Sequence, residues 1–91
     1  MQWTKVKRQL EQALSAYALG RYGEAEKFTK RLYASVRRAK KRGTLDHWRA
    51  DWLLYDLKQA VICFRCGEWR NALLWLQSAN RYVWMVLRGE A

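Results

Sequence analysis

The sequence predicts an all-α fold of two antiparallel helical hairpins, arranged as a four-helix bundle or a short stack of repeats. Three observations carry this expectation. The 91 residues contain no proline, so no residue type forces a break inside a long helix. Glycines at 20, 43, 67 and 89, with a fifth at 23, leave uninterrupted stretches of helical length between them. Within each stretch apolar residues recur at steps of three and four, the spacing that lines one side of a helix. Apolar residues make up 51% of the chain, enough for a core, and 91 residues leave room for only one. A single helical domain over 1–91 is expected.

The first helix, about 3–19, places Trp3, Val6, Leu10, Ala13, Leu14 and Tyr17 on its apolar side. The second, about 22–42, turns Ala25, Phe28, Leu32, Val36 and Ala39 inward. Glu24 and Glu26 near its start and Lys40, Lys41 and Arg42 at its end suit the helix dipole. Gly43 can take the left-handed conformation that closes this helix, and Thr44 is placed to cap the next. The third helix, about 45–66, carries a core stripe of Leu53, Leu57, Ala60 and Phe64. The fourth, about 68–87, carries Trp69, Leu73, Leu76, Val83 and Leu87, with Trp75, Ala79, Tyr82 and Val86 beside them. Connections this short make successive helices antiparallel neighbours.

The two hairpins repeat at an offset of 47 residues. Val6, Leu10, Ala13, Leu14, Tyr17, Gly20, Tyr22, Ala25, Phe28, Leu32 and Val36 align with Leu53, Leu57, Ala60, Val61, Phe64, Gly67, Trp69, Ala72, Trp75, Ala79 and Val83. The turn, Gly-x-aromatic-x-x-Ala, recurs intact. Ala13, Gly20, Tyr22 and Ala25, then Ala60, Gly67, Trp69 and Ala72, make this joint resemble the tetratricopeptide family. The resemblance covers the two helix–turn–helix joints. The spacing is 47 rather than the family's roughly 34, and its closing proline is missing from both copies. It implies stacked hairpins and a habit of binding proteins or peptides, and it carries over no catalytic residue.

Charge is the strongest functional signal. The chain holds 18 Lys and Arg against 8 Asp and Glu, a net charge of +10. Residues 1–42 hold 12 basic and 3 acidic side chains, whereas residues 43–91 hold 6 and 5. On the second helix Lys27, Lys30, Arg37, Arg38 and Lys41 lie opposite Leu32, and Arg31, Lys40 and Arg42 flank them. A ridge of cations is the electrostatic footprint of phosphate-backbone binding. The bland alternative is a solvated face whose last turn is cationic for dipole reasons, which accounts for one or two charges but not eight. RNA and DNA both fit, and no base-reading signature is present. Tyr33, beside Lys30 and Arg37, is the aromatic best placed to meet a bound strand. A membrane partner is not expected, because the apolar side of this helix is needed for the core. No apolar run reaches the roughly 18 residues of a membrane span, and the amphipathic start lacks a signal peptide's apolar stretch, so a cytoplasmic location is expected.

The third helix has more apolar surface than one bundle face uses. Trp48, Trp52, Tyr55, Ile62 and Cys66 form a second stripe well away from the first. Trp48, Trp52, Tyr55 and Ile62 are therefore expected to meet a protein partner or a second copy of the chain. The alternative is a wide stripe absorbed within the bundle.

Little in the sequence points to catalysis. Cys63-Phe64-Arg65-Cys66 supplies two thiols where zinc takes four ligands, and His47 is the only histidine. No metal, cofactor or small-molecule substrate is expected. Arg42-x4-His47 resembles the Arg-x4–6-His motif of HEPN ribonucleases, but Gly43 follows the arginine where that family prefers a polar residue. The leading expectation is a non-catalytic accessory subunit of a nucleoprotein complex. In size and charge the chain resembles the small helical subunit of CRISPR effectors. The alternatives are a tetratricopeptide-like adaptor for an acidic partner and a HEPN-like ribonuclease.

Overall fold

A computed structural model describes residues 2–91 as four helices: α1 (Trp3–Ala18), α2 (Tyr22–Arg42), α3 (His47–Arg65) and α4 (Trp69–Leu87). No strand occurs among the described residues. Each helix packs against two others: α1 on α2 and α4, α3 on α2 and α4. The contact between α1 and α4 closes the ring, so the hairpins form a four-helix bundle and not an open stack. The bundle measures 33 × 24 × 17 Å. No helix among the described residues is long and apolar enough to cross a membrane.

The 47-residue repeat is a repeat of burial. Val6 and Leu53, Leu10 and Leu57, Ala13 and Ala60, Ala25 and Ala72, Leu32 and Ala79, and Val36 and Val83 are all buried. Both hairpins turn in the same way. Gly20 and Gly67 take positive φ, 75° and 74°, which a glycine adopts without a Cβ clash. After each glycine an N–H reaches back across the turn, from Arg21 to the Ala16 carbonyl and from Glu68 to the Cys63 carbonyl, both at 2.9 Å. The turn aromatics meet each other. Tyr22 stacks on Trp69 with centroids 5.3 Å apart and planes 16° apart, as counterparts beside an internal two-fold would. Each also leans on the ring that ends the preceding helix, Tyr22 on Tyr17 at 4.9 Å and Trp69 on Phe64 at 6.0 Å. Four rings thus staple the two turns together at one end of the bundle.

Several sequence expectations need correction. The third helix begins at His47, not 45, because Leu45 leaves the helical path to bury itself against the core. Thr44 does not cap it. Its hydroxyl donates instead to the Ala39 carbonyl, at 3.2 Å, and helps close α2 beside Gly43, whose φ is 75°. The core stripe of α4 is Ala72, Leu76, Ala79 and Val83. Leu73 is only half-buried, and Trp69 and Leu87 are more than a third exposed. Alanine lets α4 sit close to α1 and α3, and the bulkier side chains are pushed to its flanks. Thr29 was not assigned to the core, yet it is fully buried. Its hydroxyl donates to the Ala25 carbonyl at 2.7 Å, which satisfies it within its own helix.

One ionisable group sits in the α3–α4 seam. Ser78 donates a hydrogen bond to Asp56 at 2.9 Å. Burial pushes the Asp56 carboxyl above its ordinary value of 3.8, and the Ser78 bond opposes the rise only in part. The folded state therefore holds this proton longer than the unfolded chain, and Asp56 subtracts stability as pH rises from 3.8 through its higher folded value. Asp56→Asn should raise the melting temperature at neutral pH, with the difference from the parent vanishing below about pH 3. The core repeat makes a second prediction. Leu10→Ala and Leu57→Ala occupy equivalent buried sites, and each should cost about 2–5 kcal/mol in urea unfolding. Leu74→Ala, at a site 58% exposed, should change stability by no more than about 0.5 kcal/mol.

Candidate nucleic-acid interface

α2 has 21 residues and is ~30 Å long. Of its eight expected phosphate-binding cations, Lys27, Lys30, Arg31, Arg37, Arg38, Lys41 and Arg42 are exposed and Lys40 is half-buried. Two are engaged by carboxylates: Lys30 by Glu26 at 2.9 Å, and Lys40 by Asp51 across the α2–α3 seam. Arg38 donates to the Ser35 hydroxyl at 3.3 Å. The other five have no carboxylate within ion-pair distance among the described residues.

The cations divide between two flanks of α2. Arg38 and Arg42 line a depression on the α1 side together with Lys5. Arg37, Lys40 and Lys41 lie on the α3 side, where a longer groove follows the seam. One stretch of it is lined by Lys30, Tyr33, Lys58, Val61, Ile62 and Arg65. The next is lined by Tyr33, Arg37, Lys40, Lys41, His47, Leu54 and Lys58. Tyr33 and Lys58 line both stretches, so the two adjoin along the seam. Its floor is the half-buried Tyr33, Leu54 and Val61 with Ile62 beside them. Its rims are Lys30, Arg37 and Lys41 from α2, and Lys58 and Arg65 from α3.

Lys58 and Arg65 were absent from the sequence-derived site, which stopped at the second helix. Their signal was present: Leu54, Lys58, Val61 and Arg65 follow each other at steps of three and four on one edge of α3. Only the antiparallel pairing of that edge with α2 shows that it faces the ridge.

The matching seam on the opposite side of the bundle, between α1 and α4, serves as an internal control. Offset by 47, the eight α2 cations correspond to Leu74, Gln77, Ser78, Trp84, Met85, Leu87, Arg88 and Gly89, of which one is basic. Lys58 corresponds to Glu11, which there pairs with Lys7. The Lys7 ammonium also lies 4.5 Å from the centre of the Trp84 ring. The same backbone arrangement therefore exists without the charge.

The expected protein-docking side chains are all exposed, but not all together. Trp48, Trp52 and Tyr55 lie toward α4, with the Arg49 guanidinium 4.8 Å from the centre of the Trp48 ring and Tyr55 set edge-on to Trp75 at 5.7 Å. Ile62 instead joins Tyr33 in the α2–α3 groove. Arg42 and His47 bracket the loop after α2 and line opposite flanks, Arg42 beside Lys5 and His47 beside Arg37. Cys63, in the last turn of α3, and Cys66, just past its end, are free thiols. Burial, then the negative charges of Glu68 and Cys66, push the Cys63 thiol up and keep it protonated. No cluster of three or more His, Cys, Asp or Glu side chains converges among the described residues.

No protein-family model, curated protein or solved structure matches this chain.

Proposed function

We propose that the protein is a non-catalytic accessory subunit of a nucleoprotein complex, and that it binds the phosphate backbone of a nucleic acid along α2. One observation carries this reading: five of the eight cations, Lys27, Arg31, Arg37, Lys41 and Arg42, are exposed and make no ion pair or side-chain hydrogen bond among the described residues. α2 and α4 play the same part in the bundle, yet α4 has no basic residue in its last turn and α2 has three. Helix-dipole compensation would act on both alike. Phosphates supply the regularly spaced negative charge that such a ridge fits. The adaptor reading shares the charge argument but requires an acidic protein surface instead. The ribonuclease reading has less support, since Arg42 and His47 line different flanks of α2. The exposed rings of Trp48, Trp52 and Tyr55 support a second, protein-docking surface on the α3–α4 side.

Affinity for nucleic acid should fall steeply with salt and depend little on sequence, with a log–log slope of about −0.7 to −0.9 per phosphate neutralised. Lys41→Ala should reduce that slope by about one contact. Replacing Arg37, Arg38, Lys41 and Arg42 together by alanine should nearly abolish binding while the circular dichroism spectrum stays the same, because these side chains are exposed. RNA recovered intact after incubation separates this reading from the ribonuclease one. Absence of binding to RNA, single-stranded DNA and duplex at low salt would leave the acidic-protein adaptor as the better account. For the aromatic surface, Trp48→Glu with Trp52→Glu should shift the sedimentation mass toward monomer, or release a bound protein, at unchanged helicity. Unfolding of this variant would return the two rings to the core.

A further inference from the structure

We infer that the α2–α3 groove takes a single strand, with its unpaired bases laid on the floor and its phosphates on the rims. The inference rests on the nucleic-acid reading above and narrows it to a substrate class.

The chemistry of the groove changes across its width. Its rims are cationic on both sides, Lys30, Arg37 and Lys41 facing Lys58 and Arg65, while its floor is apolar. A duplex offers its outside as phosphate and sugar and keeps the faces of its bases stacked inside. It would satisfy the rims and leave the floor uncovered. A single strand carries both chemistries on one chain, a phosphate per nucleotide and a base whose faces are open to stacking. The stretch of α2 from Lys30 to Lys41 spans ~16 Å at the rise of a helix, room for a short run of strand.

Tyr33 is the residue on which this turns. It lies midway along the groove and lines both of its stretches. Most other rings of the bundle are occupied. Trp3 packs on Tyr82, Tyr17 and Tyr22 belong to the turn staple with Phe64 and Trp69, Tyr55 meets Trp75, and Trp48 and Trp84 are each covered by a cation. Tyr33 packs half-buried against the core, and among the described residues no other ring and no cation lies against it. Its counterpart in the second hairpin is Asn80, so the bundle does not need an aromatic ring at this position. Ile62, 43% exposed on the same floor, widens the surface a base would cover.

The test is fluorescence anisotropy with labelled oligo-dT, oligo-rU and a blunt hairpin duplex, all at one salt concentration. The single strands should bind about tenfold or more tightly than the duplex. Tyr33→Leu keeps an apolar side chain but removes the stacking face, and should weaken single-strand binding about fivefold or more while leaving duplex binding unchanged. Tyr33→Phe should retain parent affinity. Lys58→Ala should weaken single-strand binding, and Lys5→Ala, on the other flank of α2, should affect it less. Circular dichroism and melting temperature confirm that each variant is folded. Equal affinity for duplex and single strand, with Tyr33→Leu indistinguishable from the parent, would overturn the inference and leave backbone binding standing. Failure of every nucleic acid to bind, with a poly-glutamate peptide bound instead, would overturn the inference together with the reading it rests on.

Discussion

Close approach of the helices at alanine is the constraint on which this bundle depends. Ala13, Ala25, Ala50, Ala60, Ala72 and Ala79 are all fully buried, so small side chains occupy the packed faces of the helices. Leu10, Leu32, Leu53, Leu57, Leu76 and Phe64 are the large side chains of the core. Alanine, and not a larger ring, takes the remaining positions on these faces. The chain has six tryptophans, and none of them is fully buried. They lie along the outer edges of the seams, where one side of the ring packs and the other meets solvent. An aromatic-rich surface thus goes with an alanine-rich core.

A repeated hairpin also separates what the fold requires from what it merely permits. Positions alike in both halves, the buried aliphatics and the glycine turns, answer to packing. Positions that differ have been free to diverge. The cations of α2 belong to the second group, as do Tyr33 against Asn80 and Lys58 against Glu11. Most of the α2 charge is thus not required by the packing that the two hairpins share.

Much of the fold could be read directly from the residues. The four helices, the repeat and the Gly43 stop depend on local chemistry and a period of 3.6, and both are visible in a linear sequence. The rotated face of α4 could not be read in this way. Trp69 and Leu87 are larger and more hydrophobic than Ala72 and Ala79, yet it is the alanines that are buried. Leu45 was given to a helix because no local signal distinguishes a helical leucine from one that plugs the end of a core. At the candidate site the α2 ridge was legible as a charge run. Its partner rim was not, because Lys58 and Arg65 are isolated basic residues in an almost neutral half of the chain. They gain meaning only from the antiparallel register that brings them opposite Tyr33 and Arg37.

The aromatic staple has a mechanical consequence for the groove. At one end α2 and α3 are joined covalently by the short loop from Gly43 to Asp46. At the other end the start of α2 is coupled to the end of α3 through Tyr22, Trp69 and Phe64. The α2–α3 seam is therefore fastened at both extremities, like a beam clamped at each end, and cannot splay from either. The α1–α4 seam shares the staple at one end, and at the other Trp3 meets Tyr82 edge-on and the Lys7 ammonium lies against the Trp84 ring. Both seams are thus fastened at each end by different means, the α2–α3 seam by a covalent loop and the α1–α4 seam by side chains.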